Sequence, residues 1–193
     1  MNKVGLKIIE IYYDLYKKNR KFLLEMLPKN AICAEIGVFE GKFSKQILKI
    51  TKPKMLHLID LWSFDESIHP LNFNEDVKVD EVKMNQFYSK VLKNFGNKNN
   101  VKIMRGHSFE ILSKFPDEFF DWVYVDGDHM YNGVKKDLEL SIKKVKKGGF
   151  IAGDDYIDRY GWGVVKAVDE CVEKNKLKII IKKKFQFLLQ KPN

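Results

Sequence analysis

The chain has 193 residues, 45% hydrophobic and 32% charged, with a formal net charge of +9, which suits one soluble globular domain with a full core. No apolar run reaches the roughly 18 residues that a membrane span needs, and Met1-Asn2-Lys3-Val4-Gly5 does not open into a signal peptide. Cys33 and Cys171 lie far apart inside apolar segments, which argues against a disulfide scaffold or zinc site and for reduced thiols in a cytoplasmic protein.

In chain order, Gly5 to Leu27 carries apolar residues at helical spacing (Leu6, Ile9, Tyr13, Tyr16, Leu23, Leu27) and Pro28 stops it, so 1–28 reads as an N-terminal helix. Ala31 to Ile36 is a short strand, Lys42 to Ile50 an amphipathic helix, and Met55 to Ile59 a strand ending at Asp60. Leu61 to Lys78 shows no clear period and holds Trp62, Phe64 and Phe73. Val79 to Phe95 is helical, Val101 to Met104 a third strand, and Ser108 to Phe115 a short helix. Phe119 to Val125 is a fourth strand ending at Asp126, and Tyr131 to Val145 a helix closed by Gly148-Gly149. Phe150 to Ala152 is a fifth strand running into Asp154-Asp155, and Gly163 to Lys174 another helix. Leu177 to Lys182 and Phe185 to Gln190 are two β-rich runs, close enough to form a hairpin over 177–190.

Five alternations of strand and helix predict an α/β domain over 1–193, with a parallel sheet covered on both faces. Ligands bind such sheets outside the carboxyl ends of the strands, which directs attention to Gly37, Asp60, Gly106, Asp126 and Asp154. Lysines are spread over the whole chain and arginine is scarce, which argues against a nucleic-acid groove, where clustered charge and forked arginines are expected.

Glu35-Ile36-Gly37-Val38-Phe39-Glu40-Gly41 places an acid and two glycines between a strand and a helix. The first glycine lets backbone approach a ligand and the second relieves crowding where the helix starts. The spacing is neither G-x-G-x-x-G nor a P-loop. Asp60 follows about twenty residues on, where an acid can accept both ribose hydroxyls of an adenosine. Asp126-Gly127-Asp128-His129 and Asp154-Asp155 end the fourth and fifth strands, so three or four carboxylates would converge in one crevice. Such carboxylates repel unless a proton or cation intervenes, and Mg²⁺ would keep coordination positions open for a substrate hydroxyl. The plainer alternative is a solvated turn and a helix cap. His129, beside carboxylates, is a candidate base, ligand or stacking group.

These stretches, with Leu58-Ile59-Asp60, Arg105-Gly106-His107-Ser108 and Gly149-Phe150-Ile151-Ala152-Gly153-Asp154-Asp155-Tyr156, resemble the class I S-adenosylmethionine-dependent methyltransferases. The nearest branch is the metal-dependent O-methyltransferases of catechol, caffeoyl-coenzyme A and macrolide or aminocoumarin sugars. The resemblance implies a Rossmann-like sheet of seven strands in order 3-2-1-4-5-7-6, the last antiparallel. It implies that Glu35, Gly37 and Gly41 hold the methionine end of S-adenosylmethionine and Asp60 the ribose, with Gly106, His107 and Ser108 beside the adenine. Asp126 would lie at both cofactor and metal, with Asp154 and Asp155 completing a magnesium site. Asp128 matches the base of some sugar enzymes, and His129 stands where the catechol enzymes carry a lysine. The Asp-Asp pair is closer to the sugar enzymes.

The expected reaction is methyl transfer to a hydroxyl of a small molecule or sugar, with Asp128 or His129 taking the proton and residues 61–79 covering the acceptor. Trp62, Phe64 and Phe73 would either stack on that acceptor or pack the loop onto the sheet. A homo-oligomer is compatible with the resemblance. Three rivals remain: an RNA ribose methyltransferase, a same-fold hydroxylase or aminopropyl transferase, and a non-catalytic cofactor binder.

Overall fold

A computed structural model of the chain describes residues 20–64, 80–158, 162–183 and 185–193. Helix α1 covers residues 20–26. It is followed by β1 (Ile32–Ile36), α2 (Lys42–Thr51), β2 (Met55–Asp60), α3 (Glu81–Phe95), β3 (Val101–Arg105) and α4 (Ser108–Ser113). Then come β4 (Phe120–Val125), α5 (Tyr131–Lys144), β5 (Val145–Tyr156), α6 (Val164–Asn175), β6 (Lys178–Lys183) and β7 (Phe185–Gln190). The strands form one seven-stranded sheet in the order β3-β2-β1-β4-β5-β7-β6, as expected. The first five strands pair parallel, and β7 runs antiparallel to both β5 and β6.

The strands are apolar on both faces, so each face must be covered. Cys33, Leu56, Leu58 and Trp122 belong to the core under α1, α2 and α3, with Leu23, Leu24, Ile47, Val91 and Phe95. Their strand neighbours Ala34, Ile59, Val123 and Ile151 belong to the opposite core under α4, α5 and α6, with Leu112, Leu138, Val168 and Cys171. This period-2 division assigns each strand residue to one layer. Full burial of an aliphatic side chain contributes about 1.5–3 kcal/mol, so the two cores fix the strand ends on which the site is built.

One sequence expectation needs correction, and for Trp62 one of the two alternatives, packing onto the sheet, holds. Gly148-Gly149 does not close α5, which ends at Lys144 with Val145 already extended. Both glycines lie in the irregular start of β5, where the pairing jumps from Phe120–Val145 to Trp122–Phe150. There the Gly148 amide donates to Lys191 O and the Lys191 amide to Gly149 O. Trp62 is no acceptor platform: it is wholly buried, its indole N–H donates to Phe39 O at 2.9 Å, and its ring packs on Tyr88. Phe64 also packs against the core. Phe73 and most of the expected 61–79 cover lie outside the described residues.

Candidate active site

The ends of β1, β2 and β4 meet at the glycine turn. Gly37 has φ +85°, and a Cβ there would stand 1.9 Å from the Asp126 carbonyl oxygen. Only glycine allows this approach, which is locked by the Gly37 amide on Ile59 O and the Asp126 amide on Ile36 O. Gly41, also in the left-handed region, caps α2 where a Cβ would meet the Phe95 ring at 2.6 Å. Asp60 braces the same turn. Its Oδ2 accepts the amides of Val38 (2.7 Å) and Phe39 (2.8 Å), and its Oδ1 accepts that of Trp62.

Glu35 points from β1 into the first core beneath this turn and is 1% exposed. Ser44 donates to its Oε2 at 2.6 Å, while Oε1 has no hydrogen-bond partner among the described residues. Burial pushes its carboxyl up to about 8, against the Ser44 hydrogen bond and the charge of Arg20. Gly106, His107 and Ser108 sit past β3, with the Gly106 amide on Asp60 O. The Ser108 hydroxyl donates to Asp137 of α5 at 2.5 Å. Asp137 is itself buried, which raises its carboxyl to about 7.

The two acidic clusters do converge. Asp126, Asp128, His129, Asp154 and Asp155 line one cavity with Val125, Val134, Val164 and Phe187. Three roles separate within it. Asp154 is enclosed: Oδ1 accepts from Gln186 Nε2 (2.6 Å) and the Asp155 amide (3.0 Å), and Oδ2 faces Arg20 at 3.2 Å. Asp155 (φ +56°) turns the opposite way to hydrogen-bond His129 Nε2 at 2.8 Å. Asp126 takes the other arm of the Arg20 guanidinium on its Oδ2. Burial and the charges of Asp154 and Asp155 raise its carboxyl, although Arg20 opposes them.

His129 stacks on Trp162, with ring centroids 4.6 Å apart, and its carbonyl accepts the Gly163 amide. Burial works against its charged form. The Asp155 hydrogen bond and the charges of Asp155, Asp126 and Asp128 outweigh that, so its pKa is raised. Asp128 Oδ1 accepts the Met130 amide at 2.7 Å.

Sequence reasoning grouped Asp126, Asp154 and Asp155 as ligands. The donor atoms that cluster within 4.8 Å of one another are those of Asp126, His129 and Asp155. Two carboxylates and an imidazole fit a divalent ion of the Mn²⁺ or Mg²⁺ kind, and Asp154 stands behind Asp155 through its amide. Arg20, Ser44, Asp137, Trp162 and Gln186 were not singled out. A signal existed for Arg20, because it falls on the apolar stripe Tyr13-Tyr16-Leu23-Leu27, where a charge needs a buried partner. Ser44, Asp137, Trp162 and Gln186 carry no local signal, since their partners are distant in sequence. Among the described residues, no helix is long and apolar enough to cross a membrane.

Comparison with known proteins agrees with this architecture. An uncharacterized protein, R132, of Acanthamoeba polyphaga mimivirus is 34% identical over 148 residues, which is 72% of this chain and 58% of that protein. The chain therefore spans little more than half the length of this viral relative. The N-methyltransferase NodS from Bradyrhizobium japonicum WM9, solved with S-adenosyl-L-homocysteine, superposes with a TM-score of 0.61 at 13% identity, covering 92% of this chain and 88% of NodS. A candidate caffeoyl-CoA O-methyltransferase from Staphylococcus aureus superposes with a TM-score of 0.59 at 18% identity, covering 100% of this chain and 85% of the other. At these identities the likeness is one of fold. Residues 34–156, more than half of the chain and the span from Glu35 to Asp155, match the family described as "Methyltransferase domain", and the chain belongs to that family.

Proposed function

We propose that the chain transfers the methyl group of S-adenosylmethionine to a hydroxyl oxygen of a small molecule or sugar, assisted by a divalent metal at Asp126, His129 and Asp155. The observation that carries the reading is the convergence of these three donor groups beside the glycine turn of a methyltransferase domain. A binding module has no need of so costly a carboxylate cluster. Gly37 and Gly41 let the turn close on Asp126 and Phe95 and so shape the backbone against which the methionine end of the cofactor would lie, and Glu35 Oε1, without a partner among the described residues, offers it an acceptor or, when protonated, a donor. Asp60 spends both lone pairs of Oδ2 on the amides of Val38 and Phe39 and one of Oδ1 on that of Trp62, which leaves Oδ1 an acceptor position for a ribose hydroxyl. Gly106, His107 and Ser108 flank the adenine, with Ser108 held by Asp137.

The sulfonium methyl is already activated, so the chain must place an oxygen in line with it and remove a proton. A divalent ion, when bound, lowers the acceptor hydroxyl's pKa and fixes the oxygen. Asp128, the cavity carboxylate that neither belongs to the metal set nor faces Arg20 and Gln186 as Asp154 does, accepts the proton. Trp162 and Asp155 set the orientation of the His129 ring.

The test uses S-adenosylmethionine labelled with carbon-13 in the methyl group and a panel of sugar and phenol acceptors. A methoxyl carbon signal that vanishes on chelation and returns with Mg²⁺ is expected. A methylamine signal would refute transfer to oxygen, and turnover surviving exhaustive chelation would refute the metal. The 2.8 Å His129–Asp155 bond favours a second reading, in which Arg20 stays in place and His129 itself is the base of a metal-free transfer. Turnover insensitive to chelation but lost in His129→Gln would select it.

A further inference from the structure

The acidic cluster already faces a cation, and it belongs to the protein. Arg20, on α1, extends one guanidinium nitrogen to Asp126 Oδ2 and another to Asp154 Oδ2. The guanidinium lies 4.0 Å over the Phe43 ring and 5.3 Å from that of Tyr124, and the side chain is 14% exposed. This is a built position: a planar fork between two carboxylates, stacked on aromatic faces, is the geometry for which arginine is suited. The anchoring leucines Leu23 and Leu24 are buried on the same helix and Leu27 just past its end, so Arg20 is delivered by a docked element.

Asp126 is thus claimed twice. It is one of three donors that cluster closely enough to hold a metal, and it is an acceptor of Arg20. A guanidinium and a divalent ion on one carboxylate would repel at short range in a partly buried setting, where screening is weak. Asp154 would retain Gln186 and the Asp155 amide.

We propose that Arg20 is a resident counter-cation of this cluster, and that a divalent ion enters the Asp126–His129–Asp155 set only as Arg20 leaves Asp126. Arg20 thereby sets the metal affinity of the site and ties metal occupancy to the contact between α1 and the end of β4. The inference rests on the metal part of the proposed function. It also answers the question that the convergent acids pose, namely what neutralises them when no ion is bound.

The test is Mn²⁺ binding to the full chain, followed by electron paramagnetic resonance, with S-adenosylhomocysteine binding as the check on folding. Arg20→Met keeps the unbranched stem over Phe43 and removes the charge. It should bind Mn²⁺ about 10- to 100-fold more tightly than the wild type, the factor expected if the open state is populated to about 1–10%. Arg20→Lys, which keeps a charge but loses the fork, should fall between them. Equal or weaker Mn²⁺ affinity in Arg20→Met overturns the proposal and leaves the metal reading standing. Mn²⁺ binding by neither protein sinks the metal reading, and this proposal with it. If Arg20→Met does not fold, the wild type decides: saturating Mg²⁺ should shift the Arg20 guanidinium nitrogen resonance, and an unmoved resonance in a protein that binds Mg²⁺ overturns the proposal.

Discussion

Glu35 sits on a strand, wholly enclosed, with one oxygen on Ser44 and the other without a partner among the described residues. Its ordinary value is 4.5 and burial lifts it to about 8 in the fold. The unfolded chain therefore ionises first, and the stability that protonated Glu35 confers is lost as pH rises from about 4.5 to about 8. Glu35→Gln should remove that slope, so that across the window its stability gains on the wild type by about 5 kcal/mol. Parallel melting series across that window test it, and identical pH slopes would contradict it. Asp137, lifted to about 7 by burial, adds a slope of the same sign that stays in the variant. The residue scale is also where the sequence was least legible. Glycines, Asp60 and the strand-end acids could be read because each stands at the end of a strand that periodicity predicts, inside a motif of fixed spacing. Arg20, Ser44, Asp137 and Gln186 act on partners brought to them by the fold, 106, 9, 29 and 32 residues away.

At the scale of elements, α6 starts beside His129 at the cavity, the side that the proposed function gives to the acceptor. It starts at Gly163, whose amide donates to His129 O, and a Cβ there would stand 2.3 Å from the Tyr131 Cα. Gly163→Ala must move α6 away from α5 and with it the Trp162 ring that stacks on His129. The expected result is a fall in turnover of about tenfold or more, with binding of S-adenosylhomocysteine unchanged; a 1 Å misplacement in a catalytic site can cost about 100-fold. Loss of both together would contradict the assignment of α6 to the acceptor side. Most elements were readable from periodicity, because their apolar residues face cores at regular spacing: Phe43 and Ile47 on α2, for example, or Leu138 and Ile142 on α5. The start of β5 was not, because Gly148 and Gly149 are held by Lys191 at the far end of the chain rather than by α5. Trp62 was ambiguous for a related reason, since its indole partner, Phe39 O, lies on another turn.

At the scale of the molecule, seven strands in the order 3-2-1-4-5-7-6 bring four carboxylates from the ends of β4 and β5 into one cleft of a chain whose net charge is +9. The cations of the cleft's immediate wall are Arg20 and, when protonated, His129, while the lysines are spread along the chain. A local negative site within a basic protein suits a cationic sulfonium cofactor and a divalent ion better than a polyanion. The fold order was legible only through the resemblance; alternation of strands and helices gave a parallel sheet without an order. The account's central claim is that the glycine turn and Asp60 form an S-adenosylmethionine site, and calorimetric titration of the full chain with S-adenosylhomocysteine tests it most directly. Saturable one-to-one binding, absent with NAD and absent in a folded Gly37→Ala variant, is the predicted result. No binding by the folded wild type, with or without Mg²⁺, would contradict it.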